Sequence, residues 1–135
     1  MQLTPCQVEF IKGGKVKLLT DLSFKVRGVI ITLKAGYIWD MASIPRFARG
    51  VIGCPSEFIG ESGVHDVLYE SGLYPRDICD LILYLLLRSG GEFKDKVDRI
   101  TAKTIYAGVR VGGESHYKQG SIADAREFVT IEGWL

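Results

Sequence analysis

Up to Leu33 the chain is broken every few residues by turn-forming positions, and beyond Pro55 it is not. That change of period limits the fold more than any other feature of the sequence. The first part divides into runs rich in β-branched and large apolar residues: Val8-Glu9-Phe10-Ile11, Val16-Lys17-Leu18-Leu19, Leu22 to Val26 and Val29 to Leu33. Gly13-Gly14 and Arg27-Gly28 punctuate them in the manner of hairpin turns, so a small antiparallel sheet or meander is expected over residues 1–40.

After Pro55 the apolar positions recur at helical spacing. A first helix is predicted from Gly60 to about Ser71, with Ser62 as N-cap and Gly72 as the terminating glycine. A second opens at Pro75, runs to about Arg88 and closes at Gly90-Gly91, and a third is expected from Phe93 to Val111. In the third helix, Phe93, Val97, Ile100, Ile105, Gly108 and Val111 would form the packed face. A short helix over Ile122 to Phe128, and apolar residues Phe128, Val129, Ile131, Trp134 and Leu135, suit residues 113–135 to docking on the body. The expected class is α+β, with a strand-rich part over 1–40 and a helical part over 60–112. At 135 residues and 47% hydrophobic content, one domain with a substantial core is the expectation, since two ordinary domains would not fit.

The charge balance is 17 basic to 16 acidic side chains, a net +1, which creates no broad field to attract nucleic acid or an anionic membrane. Cys6, Cys54 and Cys79 are odd in number and share no zinc-ligand spacing, so they read as reduced thiols in a cytosolic setting. The start of the chain lacks the pattern of a signal peptide. The longest apolar run, Leu81 to Leu87, falls far short of the roughly 20 residues that span a bilayer and reads as part of a buried helix.

Chemistry concentrates in Ser62-Gly63-Val64-His65-Asp66-Val67-Leu68-Tyr69-Glu70. An imidazole and a carboxylate stand side by side on an apolar helix, with a phenol one turn on, and histidine titrates close enough to neutrality to move protons. Because neighbouring helix positions diverge by about 100°, Asp66 is poorly placed to orient the His65 ring. Asp80 is better placed, since it interrupts the apolar stretch Cys79 to Leu83 and must be bonded if buried. A His65-Asp80 contact across antiparallel helices would hold the ring as a general base. In the structural alternative, Asp77 is a first-turn helix residue and Asp80 pairs with Arg76 or Arg110. Upstream, Trp39-Asp40-Met41-Ala42-Ser43-Ile44-Pro45-Arg46 reads either as a strand end with Asp40 or Ser43 as a cap, or as a pocket rim with Arg46 as an anion clamp.

Taken in order, Trp39 to Arg46, His65-Asp66-Val67-Leu68-Tyr69, Cys79-Asp80 and Ile105-Tyr106-Ala107-Gly108-Val109-Arg110 resemble the successive motifs of DUF1353, a domain-of-unknown-function family of phages and prophages. The resemblance covers about residues 30 to 112, with Trp39 where the family favours Thr and Cys79 where it favours Ala. It implies a phage or prophage origin, location in the host cytoplasm or the virion, and no settled activity.

The His-Asp-x-x-Tyr helix facing a buried Asp is also similar to the core of phospholipases A2. That similarity implies His65 as the base that activates water, Asp80 as its orienter and Tyr69 as a supporting donor. It likewise implies Asp66 as a ligand of a calcium ion, while the rim reading of residues 36–46 makes Asp40 a second ligand or a base partner. The glycine-rich calcium loop and the disulfides of those enzymes are missing, which leaves residues 36–43 as the stretch that would replace the loop. Two functional expectations follow: a metal-assisted hydrolase of an ester or lipid, with Ser43, Arg46 and Arg110 around its pocket, or a tail or neck component whose partners are other virion proteins.

Overall fold

A computed structural model describes residues 1–40, 58–113, 117 and 123–134. Strands β1 (Val8–Ile11), β2 (Lys15–Leu18), β3 (Leu22–Val26), β4 (Val29–Leu33) and β5 (Ile38–Trp39) precede helices α1 (Ile59–Ser71), α2 (Arg76–Arg88) and α3 (Arg99–Gly112). A four-residue helix α4 (Ala123–Arg126) and strand β6 (Val129–Gly133) follow. The architecture is α+β, as the change of period predicts.

The strands form two three-stranded antiparallel sheets, in the orders β1-β2-β5 and β3-β4-β6. Phe10 lies opposite Val16, which in turn faces Trp39, while Phe24 lies opposite Ile31, which faces Ile131. Strict alternation places Val16, Leu18, Leu22, Phe24, Val26, Val29, Ile31 and Leu33 in the core. The tail therefore does more than dock: Val129 to Gly133 add an edge strand to β4. Trp134, expected to dock on the body, is instead 90% exposed, because it lies beyond the paired part of β6.

Helix α1 is buried on nearly every side and rests directly on the sheets. Close approach is possible because two of its positions are glycines one turn apart. A β-carbon at Gly60 would meet Leu22 at 3.0 Å, and one at Gly63 would meet the Trp39 indole at 2.8 Å and Leu33 at 3.0 Å. The helix begins earlier than its sequence suggests, with Phe58 at the cap position and no side-chain cap. Ser62 lies inside the first turn, where its hydroxyl donates to the Ile59 carbonyl at 2.8 Å and accepts from Trp39 Nε1 at 3.1 Å. Gly72 closes α1 in the left-handed conformation, its N–H returning to Leu68.

Helix α3 starts six residues later than Phe93, because Asp98 captures the Thr101 N–H at 2.9 Å and its hydroxyl at 2.6 Å. This shift also changes the packed face. Ala102, Ile105, Gly108 and Val109 are buried, whereas Ile100 and Val111 are exposed. The expected face was offset because apolar residues on both sides of the helix satisfy its period. No helix among the described residues is long and apolar enough to cross a membrane.

Candidate functional site: an oriented imidazole between three helices

His65 and Tyr69 lie one turn apart on α1 and face Asp80 on α2. His65 Nε2 is 2.7 Å from Asp80 Oδ1, and the Tyr69 hydroxyl donates to the same oxygen. Arg110, from α3, donates to Oδ2 at 2.8 Å. Asp80 thus serves both roles inferred for it, orienter of His65 and ion-pair partner of Arg110. The carboxylate is fully buried and the histidine nearly so, at 1% exposure. Arg110 is 35% exposed and links the buried charge to solvent.

The electrostatics select one protonation state. Burial pushes the His65 pKa below its ordinary value even though Asp80 favours the imidazolium. Burial alone would raise the Asp80 pKa, but donors from His65, Tyr69 and Arg110 outweigh it and hold the carboxyl below the usual range. Burial and the neighbouring Asp80 raise the Tyr69 phenol, which keeps it a donor. The pair is therefore a neutral imidazole donating Nε2–H to a carboxylate, with the lone pair on Nδ1. Among the described residues Nδ1 has no hydrogen-bond partner. An oriented ring with one free basic nitrogen can accept a proton.

Aromatic and cationic neighbours fix this geometry. The Tyr69 ring lies 4.2 Å from the His65 ring and meets Tyr117 edge-on at 5.4 Å. Tyr117 donates to the Tyr74 carbonyl at 2.8 Å. Arg76 donates to the carbonyls of Val109 at 2.8 Å and Arg110 at 2.5 Å, satisfying the last turn of α3 and positioning the backbone that carries Arg110. These supporting roles of Arg76 and Tyr117 were not visible in the sequence, since neither lies at a fixed spacing from His65.

Asp66 belongs to a different network. It points toward the residue just before β5, Tyr37, whose hydroxyl donates to Oδ2 at 2.8 Å. Burial, followed by Glu70 one turn on, pushes the Asp66 carboxyl up to about 7 against the bond from Tyr37, and Asp40 adds to the rise. His65 and Tyr69 on one side and Asp66 on the other thus bond to different partners, in two polar clusters on adjoining faces of α1. Asp40 is exposed and lies electrostatically on the Asp66 side. Ser43 and Arg46 lie outside the described residues. Among the described residues no three His, Cys, Asp or Glu side chains are grouped to hold a metal ion, and residues 41–43 of the stretch expected to replace the calcium loop lie outside them.

A family model described as "Protein of unknown function (DUF1353)" matches residues 16–109. No curated protein and no solved structure matches the chain. The matched region runs from β2 into the last turns of α3 and contains His65, Tyr69 and Asp80, with Arg110 one residue beyond it. Since the match takes in more than half of the sequence, the chain belongs to the DUF1353 family.

Proposed function

We propose that the protein is a hydrolase that cleaves an ester, with a phospholipid as the leading substrate, through a His65-Asp80 pair. One observation carries this reading: Nε2 is tied to a buried carboxylate while Nδ1 has no hydrogen-bond partner among the described residues. In the reaction, Nδ1 removes a proton from water as the water oxygen attacks the ester carbonyl. The Asp80 carboxylate stabilises the resulting imidazolium. The tetrahedral intermediate then collapses, and His65 returns the proton to the departing alkoxide. Tyr69 and Arg110 keep Asp80 ionised and fixed throughout. Turnover requires water to reach a ring that is 1% exposed, so opening of the packing around His65 is part of this mechanism.

That same burial favours a second reading, a phage virion or assembly protein in which His65, Tyr69, Asp80 and Arg110 form an internal brace. Hydrolysis of phospholipid vesicles and of short-chain aryl esters by the wild type and by His65→Gln, with melting temperature measured on both, separates the two. A hydrolase loses turnover on substitution and keeps its fold. An inactive wild type with a strongly destabilised variant supports the brace.

A further inference from the structure

The near-balance of charge over the whole chain conceals an uneven surface on α3. From Arg99 to Gly112 this helix holds three cations and no acid. Arg99, Lys103 and Arg110 recur at spacings of four and seven, which sets them in one line along the helix. Arg110 is turned to Asp80, but neither Arg99 nor Lys103 is ion-paired among the described residues. Asp95 and Asp98 stand ahead of the first turn, and Asp98 is engaged by Thr101. A second line runs beside the cations. Ile100, Thr104, Ala107 and Val111 share a face at spacings of four, three and four, about a quarter-turn away. Ile100 is 79% and Val111 84% exposed, and Ala107 between them is exposed too. The core takes a different line, Ala102, Ile105 and Val109, so α3 is apolar on two sides and packed on one.

We propose that this face of α3 docks the protein on an anionic phospholipid surface. The helix lies in the plane of the headgroups, with Ile100, Ala107 and Val111 turned to the acyl boundary and Arg99 and Lys103 at the phosphates. Both lines run along the helix axis, so each meets a flat layer over its whole length. A second copy would cover the apolar line but bring no acid on α3 to meet the cations. A nucleic-acid strand would answer the cations and leave Ile100 and Val111 in water. Anionic lipid satisfies both lines at once. The proposal does not rest on ester hydrolysis, because docking is read as binding and stands or falls without turnover.

Co-sedimentation of the full chain with vesicles tests it, using phosphatidylcholine alone and phosphatidylcholine mixed with phosphatidylglycerol. Binding to the mixed vesicles should be at least about tenfold tighter and should weaken as salt is raised. Arg99→Gln with Lys103→Gln should weaken it about twentyfold, and Ile100→Ser with Val111→Ser about tenfold, each with the melting temperature little changed because these side chains are exposed. Lys12→Gln with Lys15→Gln removes the same charge from exposed positions of the β1-β2 hairpin and should leave binding within about twofold. Equal binding to the two vesicles, an equal loss in the hairpin pair, or undiminished binding without Ile100 and Val111 would overturn the proposal. So would a dimer in lipid-free solution that the Ile100 and Val111 substitutions dissolve, or DNA bound as tightly as the mixed vesicles. The comparison of the two lipids needs no variant, so it can overturn the docking even if a pair of substitutions fails to fold.

Discussion

His65 and Asp80 are bonded at 2.7 Å inside the protein, where the carboxylate is held by the buried donors of His65 and Tyr69 and, on its other oxygen, by the partly exposed Arg110. The consequence is an order of sensitivities. Asp80→Leu leaves His65 and Tyr69 donors buried without an acceptor and should cost about 3–5 kcal/mol. Arg110→Met removes a partly solvated partner and should cost less, about 1–2 kcal/mol. Urea denaturation of the two variants checks the order, and equal losses would mean that the core depends on Arg110 as much as on the carboxylate.

The two clusters on α1 should respond to pH in opposite directions. The folded-state pKa of His65 lies below 6.5, so the unfolded chain takes up the extra proton and acidification from pH 6.5 destabilises the fold. Asp66 is raised from 3.8 to about 7, so the folded chain holds the extra proton and stability is lost as pH rises across that window. In the wild type the two contributions oppose each other between these limits. Asp66→Asn should keep an acceptor for Tyr37, remove the repulsion with Glu70, and be more stable than the wild type above pH 7 by roughly 1–2 kcal/mol. Its stability should also fall more steeply below pH 6.5 than that of the wild type. Melting temperatures across pH 4 to 8 test both signs.

Much of this site was legible because its parts obey local rules. His65 and Tyr69 share a face by their spacing of four, and an Asp set in the apolar stretch Cys79 to Leu83 demanded a partner. The strands were legible from alternation and their glycine turns. By contrast, β6 is defined by its pairing with β4, a contact about a hundred residues away in sequence that no local pattern encodes. The separation of Asp66 from His65 depended on which element covers each face of α1, and Tyr37 came from a different part of the chain. Ser62 resembled a cap because serine favours helix starts, but the turn N-terminal to it was already packed on Leu22.

Close packing of α1 on the sheets makes Gly63 a sensitive position. Gly63→Ala would drive a methyl group into the Trp39 indole, 2.8 Å away, and disturb the Trp39 bond to Ser62. A loss of about 1–3 kcal/mol is expected, with a change in tryptophan fluorescence. Gly112→Ala is the matched control, since a β-carbon there meets nothing within 4 Å and alanine is the better helix former. That variant should be neutral or slightly stabilising. If both substitutions were neutral, α1 would have to lie farther from the indole.

Gly113 should influence the His65-Asp80 pair through Tyr69. A β-carbon at Gly113 would stand 2.6 Å from the Tyr69 hydroxyl and also press on the Val109 carbonyl, so Gly113→Ala should displace the phenol from Asp80. Tyr69→Phe removes the same bond by deleting the hydroxyl. Asp80, whose pKa is held below 3.8, contributes stability above the unfolded pKa that is lost as pH falls through the folded one. Losing the Tyr69 donor raises that folded pKa, so each variant should be less stable at neutral pH by about 1–2 kcal/mol and should unfold in acid at a higher pH than the wild type. In its acid-unfolding midpoint the double variant should be little shifted from Tyr69→Phe, because the hydroxyl is already gone, while its stability at neutral pH still bears the contact with the Val109 carbonyl. Full additivity in the acid-unfolding midpoints would instead show that Gly113 acts on the end of α3 and not through the hydroxyl that holds Asp80.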